Sequence, residues 1–329
     1  MSSRFYRVTR TQPPVAVNPT KKVIKNMRGD ALEMTVFSVG AGEAILLRRG
    51  TNAMLIDAGL TKTSKIAVAG KKLAEYIEDP NNAGIGLTLV AIVSSHPHVD
   101  HINIVPALLS EIDSTNLSLN ARYYHNGVDV APGLKPGLKA AVKETFGTTR
   151  VVIVGGTVQS PDNSPINLEL SPDVKITMAV EHANAFESTE KYHSIFMKLR
   201  FRKAKFIFTG DANTAKGYET RMLELLPEPS HRQDVLKITH HGSSSGTGQA
   251  FVAKTQPRIS VASTSDDSGH SLEQDVRDRL GTHGEAFDTH TTGGDIIVRT
   301  DGKRRTLGGK HGILYEVEEF SPGRLKPFI

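Results

Sequence analysis

The sequence predicts a mixed α/β chain folded as a two-sheet sandwich flanked by helices. Three observations carry that expectation. Short β-rich runs and helical stretches are mixed along the chain, with hairpin-like pairs of strands in its middle. The run from Leu87 to Ser94 is almost unbroken apolar, the pattern of a strand buried on both faces. No internal repeat or low-complexity stretch points to a solenoid. At 329 residues, 38% hydrophobic and 23% charged, the chain can bury a substantial core without cross-links.

The elements follow in order. Residues 34–39, 44–48 and 52–57 read as strands, the last ended by Ala58 and Gly59. A helical stretch of about 64–78 precedes the apolar run. Beyond it Ile102, Val105 and Leu109 recur at helical spacing, with Pro106 in the first turn, where proline is tolerated. Further strands are expected at 122–124, 151–154, 174–180, 194–201 and 205–209. A helix after Asn213 turns Tyr218, Met222 and Leu225 inward. Residues 235–239 and 258–262 read as short strands. Ser271 to Gln274 reads as a capping box opening a helix that carries Leu272, Val276 and Leu280 and ends at Gly281. The strand Ile296 to Arg299, a turn at Asp301-Gly302 and a last strand over 312–317 close the pattern.

Cysteine is absent, which excludes disulfides, thiol nucleophiles and thiolate metal sites and fits a reducing compartment. No apolar leader and no stretch of membrane-spanning length occurs, so a cytoplasmic protein without membrane contact is expected. The net charge is +5. Residues 1–30 hold seven basic side chains (Arg4, Arg7, Arg10, Lys21, Lys22, Lys25, Arg28) against Asp30 alone. With Pro13, Pro14 and Pro19 they read as a basic arm or tail before a catalytic domain over 31–329. Lys198, Arg200, Arg202, Lys203 and Lys205 form a second basic cluster, and Lys303, Arg304 and Arg305 a third. Such clusters favour an anionic partner, nucleic acid above all.

The chemistry concentrates in His96-Pro-His98-Val-Asp100-His101, four metal-ligand side chains in six residues just past the buried strand. A strand tip aims alternate side chains at one point, so His96 and His98 suit one ion. Asp100 and His101, after the turn, can face its neighbour. Imidazole and carboxylate donors without sulfur suit zinc, manganese or iron.

The spacing resembles the second motif of the metallo-β-lactamase superfamily, and the superfamily's other motifs follow in order over residues 33–315. Leu55-Ile-Asp57-Ala-Gly59 is similar to its first motif, whose carboxylate supports the site. Phe208-Thr-Gly210-Asp211 is similar to its fourth, whose carboxylate bridges two ions. His182 takes the place of the third-motif ligand, with His193 as its rival. In His240-His241-Gly242-Ser243, similar to the fifth, His240 is the expected ligand of the second ion and His241 the alternative. Gly210-Asp211-Ala212, Asp234 to Lys237, His240 to Ser243 and Ser268-Gly269-His270-Ser271 resemble most closely the ComEC-like metallo-β-lactamase domain, although Ser271 stands where that pattern carries proline.

The resemblance implies a four-layer αββα sandwich and a metal-dependent hydrolase holding two divalent ions, Zn²⁺ or Mn²⁺. It implies His96, His98, Asp100, His101, His182, Asp211 and His240 as ligands, with Asp100 also orienting the attacking water. His270 is expected to act on the substrate as a proton or hydrogen-bond donor. A phosphodiesterase or nuclease is the leading expectation. A hydrolase of a small ester, lactone, lactam or phosphocholine-type substrate is the alternative, because fold and metal site do not fix substrate. A basic rim around the metal cleft would favour the first, a deep apolar pocket the second.

Overall fold

The structure is a computed structural model that describes residues 2–9, 12–82, 86–128, 135–156, 160, 162, 164–181, 193–214, 217–226, 231–266, 270–307 and 309–319. In chain order the first half runs β1 (Ser2–Val8), β2 (Val15–Ala16), α1 (Lys21–Arg28), β3 (Leu32–Val36), β4 (Ala44–Arg49), β5 (Asn52–Ala58), α2 (Ile66–Glu78), β6 (Thr88–Ser94), α3 (Val99–Ile102), α4 (Val105–Glu111), β7 (Leu117–His125), α5 (Lys135–Phe146) and β8 (Val151–Ile153). The second half runs β9 (Ile166–Ser171), β10 (Val174–Ala179), β11 (Phe196–Phe201), β12 (Ala204–Phe208), α6 (Tyr218–Leu225), β13 (Val235–Lys237), α7 (Gln249–Thr255), β14 (Ile259–Ala262), α8 (Gln274–Gly281) and β15 (Glu285–Asp288). Then α9 (Thr289–Thr292), β16 (Ile296–Thr300), β17 (Arg304–Leu307) and β18 (Lys310–Glu319) return to the first sheet.

Two sheets result. One has the order β2-β1-β18-β16-β3-β4-β5-β6-β7-β8 with β17 on β18; the other is β15-β14-β13-β12-β11-β10-β9. Each joins an antiparallel half to a parallel one: β5 to β8 are parallel in the first, β12 to β15 in the second. Met34, Ile45, Met54 and Val93 meet Ile176, Met197, Phe206 and Val261 in the core between the sheets. The opposite face of the first sheet packs Leu46, Leu55 and Ile92 on Leu73, Leu108 and Val142 from α2, α4 and α5. That of the second packs Ile207 and Leu236 on Met222, Val252 and Val276 from α6, α7 and α8. The layers are therefore helix, sheet, sheet, helix, a four-layer αββα sandwich as the sequence predicts. No helix is long and apolar enough to cross a membrane among the described residues.

The N-terminal segment differs from the expected arm. Ser2–Val8 pairs antiparallel with β18 from Ser2↔Glu319 to Val8↔Ile313, and Tyr6, Val8 and Met27 are buried. Three of its cations look solvated in sequence but are claimed by distant partners. Arg4 pairs with Glu319 at 3.4 Å, Arg7 Nη1 donates to Leu307 O at 2.6 Å, and Arg28 Nε donates to Glu316 Oε2 at 3.0 Å. The capping box also fails. Helix α8 starts at Gln274, its N-cap Glu273 makes no side-chain cap, and Ser271 stands outside it. Leu272 instead closes on Gly242, and Glu273 N donates to Gly242 O at 3.0 Å, which draws the chain away from helical geometry one turn early.

Candidate metal centre

The carboxyl ends of the parallel strands converge on one spot, the usual place for a ligand in sheets of this kind. From the first sheet come Asp57 near the end of β5 and the loop from Ser95 to α3 after β6. From the second come Asp211 after β12, His240 and His241 after β13, and Ser263 after β14. Gly59 lets the two segments of the first sheet close up. A Cβ on Gly59 would stand 2.3 Å from the Asp100 carbonyl carbon and the His101 nitrogen. Gly210, at φ +51°, likewise brings Asp211 beneath Ser95 and Ser194.

Asp211 lies at the centre, 1% exposed. Its Oδ1 is 3.2 Å from His101 Nε2 and 3.7 Å from His241 Nε2; its Oδ2 is 3.6 Å from His240 Nε2 and 3.7 Å from His96 Nε2. Asp100 Oδ2 stands 3.4 Å from His241 Nε2, 3.8 Å from His101 Nε2 and 3.4 Å from His270 Nε2. The donors gather in three overlapping groups: Glu43, His101, Asp211 and His241; His96, His98 and Asp211; Asp100, His241 and His270.

The hydrogen-bond network decides which ring nitrogens face this point. Ser95 Oγ spends its one hydrogen on Asp57 Oδ2 at 2.7 Å, so at 3.1 Å it accepts from His96 Nδ1. His101 Nδ1 donates to Asp57 Oδ2 at 2.9 Å, and His241 Nδ1 donates to the Ser263 carbonyl at 3.2 Å. Each ring is thereby tied at Nδ1 and presents Nε2 inward, the arrangement that orients metal-binding histidines. Those inward atoms, Nε2 of His96, His101 and His241, are buried with no hydrogen-bond partner, and so is Oδ1 of Asp211. Four converging polar atoms left bare in a protein interior would cost several kcal/mol together. A cation satisfies all of them.

The electrostatics agree. Burial alone would push the Asp211 carboxyl up, but the facing His101 and His241 outweigh it and hold it well below the carboxylate range. Asp100 is likewise pushed up by burial, yet His101, His241 and His270 outweigh that and keep it anionic. Burial holds His96 well below its ordinary value, with His101 beside it adding to the effect. At His101 burial also lowers the pKa, but Asp211, Asp57 and Asp100 outweigh it and hold it well above its ordinary value. Negative charge is concentrated where a cation would sit.

Backbone strain is concentrated there too. Asp57 (φ 55°), His240 (φ 49°) and His241 (φ 53°) are three of the six non-glycine residues at positive φ among the described residues. Each costs about 1–3 kcal/mol, strain that tends to persist where surrounding structure fixes a functional geometry. The double kink after β13 sets the two neighbouring histidines against opposite oxygens of Asp211.

Of the residues the sequence singled out, the structure thus gathers His96, His98, Asp100, His101, Asp211, His240 and His270, with Asp57 beneath them. His182 lies outside the described residues. Its rival His193 is buried just before β11, its carbonyl accepting from Asn126 Nδ2 at 2.9 Å, and it joins none of the three groups. Within the histidine pair the sequence expects His240 as the ligand of the second ion, with His241 the alternative. His241 is the one that faces Asp100 and His101, and His240 faces the His96 side. Sequence reasoning missed Glu43, 1% exposed, whose Oε2 accepts from the buried Lys237 Nζ at 2.8 Å and lies 3.8 Å from His241 Nδ1. The available signal was an acid opening the apolar run after Gly42.

No known family matches the chain by sequence, and no curated protein does. Solved structures similar to it include the metallo-β-lactamase fold protein YhfI from Bacillus subtilis, at 15% identity and a TM-score of 0.45, with 78% of this chain and 96% of that one covered. Zn²⁺-bound PqqB from Methylobacterium extorquens is similar at 10% identity and a TM-score of 0.45, covering 78% and 97%. CmlA, a diiron β-hydroxylase from Streptomyces venezuelae, is similar at 12% identity and a TM-score of 0.47, covering 78% of this chain and 53% of that one, so this chain spans about half of it. Likenesses this distant leave the chemistry to the chain's own residues.

Proposed function

We propose that the chain is a metal-dependent hydrolase holding two divalent ions around Asp211, acting on a small ester of carboxylic or phosphoric acid. The observation that carries the reading is the set of four bare, buried donor atoms, each imidazole fixed at Nδ1 and open at Nε2. His96 and His98, with His240 alongside, would hold one ion; Asp100, His101 and His241 would hold the other; Asp211, which faces both sets, would serve both. Such ions supply Lewis acidity and a water acidified to near neutral pH. Asp57 keeps the His101 ring in its tautomer and ties His96 through Ser95 Oγ. Asp100 would orient the attacking water, and His270, whose Nε2 lies 3.4 Å from Asp100 Oδ2, would pass a proton to the leaving group.

The substrate class draws on a cavity of about 490 Å³ that shares His96 and Pro97 with the site. Ile102, Tyr123, Leu138, Val142 and Val151 line it, so its wall is mainly apolar. Its volume falls in the range of about 300–1,000 Å³ usual for small-molecule sites. His125 in its wall is pushed down to about 4 by burial and by Lys139, and Gly127 N donates to its Nδ1 at 3.2 Å. That leaves a neutral ring with its N–H at Nε2, a donor for a polar atom on an otherwise apolar substrate.

A nuclease, drawn from the ComEC-like resemblance, is the second reading, favoured by the exposed Lys139 and Lys143 in the cavity wall. One panel separates them: protein loaded with Mn²⁺ or Zn²⁺ against 4-nitrophenyl octanoate, bis(4-nitrophenyl) phosphate, and single- and double-stranded DNA and RNA. Turnover of a nitrophenyl substrate that is lost on chelation and in Asp211→Ala supports the first reading. Cleavage of nucleic acid alone would transfer the case to the second, and no metal-dependent turnover of any substrate would sink both.

A further inference from the structure

The second and third basic clusters meet, far from the metal centre, around a cavity of about 260 Å³. Lys203 and Lys205 reach it from the β11–β12 hairpin, Arg304 from β17, and Arg232 and Arg258 from the residues leading into β13 and β14. Five cations thus line one small cavity, with Asp234 the only carboxylate in its wall among the described residues. Asp234 is already engaged, accepting from Lys205 N at 3.0 Å and Tyr315 Oη at 2.9 Å. Arg258 is 5% exposed and donates from Nη1 to the His283 carbonyl at 2.9 Å; burial and the neighbouring Arg232 push its pKa down against the opposing pull of Asp234.

The topology fixes where this cavity stands. In the parallel set β12-β13-β14 the carboxyl ends carry Asp211, His240, His241 and Ser263. Lys205, Asp234 and Arg258 sit at the amino ends of the same strands. The two sites occupy opposite ends of one sheet, so substrate at the metals does not fill the basic cavity.

We propose that this cavity is a second binding site, for a compact anion bearing two or three phosphate groups. The number of cations matches such an anion, and Arg and Lys are the side chains that bind phosphate oxygens by charge-assisted hydrogen bonds. The volume lies below the range of drug-sized sites, which favours a small oligophosphate over a whole nucleotide. A nucleic-acid backbone running past the cavity is the competing occupant.

Titration calorimetry on the full chain, dialysed against a chelator so that phosphate cannot act through metal, tests this with sodium triphosphate, pyrophosphate, orthophosphate and a single-stranded oligodeoxynucleotide. Triphosphate is expected to bind most tightly, with an affinity that falls as salt rises. Lys203→Gln, Arg232→Gln and Arg304→Gln, all at exposed positions, should each weaken it by about tenfold, the worth of one charge-assisted hydrogen bond. Lys21→Gln, exposed and outside the cavity, should leave it unchanged. Triphosphate should also raise the melting temperature of the wild type more than that of Arg232→Gln. Absence of triphosphate binding, equal affinity in all variants, or binding of the oligonucleotide alone would overturn the proposal. None of these readouts depends on hydrolysis, so the failure of one reading leaves the other standing.

Discussion

Asp57 Oδ2 accepts the Nδ1 hydrogen of His101 at 2.9 Å while His101 Nε2 stands 3.2 Å from Asp211 Oδ1. One carboxylate holds the ring at Nδ1 and the other faces its Nε2. Asp57 also accepts from Ser95 N and Ser95 Oγ, both at 2.7 Å, so a single side chain beneath the site holds both ends of the histidine motif. Asp57→Asn keeps the shape but offers an amide hydrogen where an acceptor is needed. Metal affinity should fall by about 10–100-fold, the usual cost of losing such a partner. Competition against a chromogenic chelator reads it, and unchanged affinity would remove Asp57 from the site's support.

The histidine pair after β13 faces two different oxygens of Asp211. His241 faces Asp100 and Asp211 Oδ1, and His240 faces Asp211 Oδ2 beside His96. His241→Ala should bring the metal content from two ions to one, retaining the ion on His96 and His98. A His96→Ala, His98→Ala double variant should lose the other. Elemental analysis after gel filtration distinguishes these outcomes. Full retention in His241→Ala would return the second ion to His240.

The motif from His96 to His101 was legible because strand and helix-start periodicity act within six residues, although Asp57, Asp211 and His241 from other segments complete its geometry. The order of Asp57, Asp211 and the His240-His241 pair was legible as spacing past strand ends. Which of the two histidines turns inward was not, because it depends on two successive left-handed residues, His240 and His241, held by Asp211 and Ser263 from other strands. The N-terminal strand was missed for a related reason. The cations of β1 look like a solvated arm until Glu319 and the Leu307 carbonyl are brought up by β17 and β18, some 300 residues away in sequence. Helix α5 was hidden by Pro136 and Gly137 at its start, although Leu138, Val142 and Phe146 carry its buried stripe.

Asp295 gives a stability prediction independent of the metals. Its Oδ1 accepts from Ser38 N at 2.7 Å, its Oδ2 is buried with no hydrogen-bond partner, and burial raises its pKa to about 6 against an ordinary 3.8. The folded chain therefore binds more protons than the unfolded one between those values. Stability should fall as pH rises through about 4 to 6 and level off above, by up to about 3 kcal/mol from this group. Asp295→Asn cannot ionise, so its stability relative to wild type should improve across the same window. Urea midpoints at intervals from about pH 4 to pH 8 measure it. A difference that stays constant with pH would show that Asp295 is charged throughout.

His270 carries the sharpest prediction about chemistry. Its Nε2 lies 3.4 Å from Asp100 Oδ2 and its ring centroid 4.8 Å from that of His241, while 19% of the side chain is exposed. Unlike His96, His101 and His241, whose side chains are 0–1% exposed, it is partly exposed. Asp100 is an acceptor for the imidazole at Nε2, and under the proposed function it would hold the ring beside the substrate. A positioned donor of this kind is worth about 10²–10⁴ in rate. His270→Ala should lower kcat by that range with wild-type metal content, and the loss should be smaller for substrates whose leaving group needs no proton, such as 4-nitrophenolate. A poor leaving group should show the full effect. Because Asp100, His241 and His270 also form a possible ligand group, the metal measurement is decisive. Loss of one ion in His270→Ala would make it a ligand, and an equal rate loss for good and poor leaving groups would remove its role as proton donor.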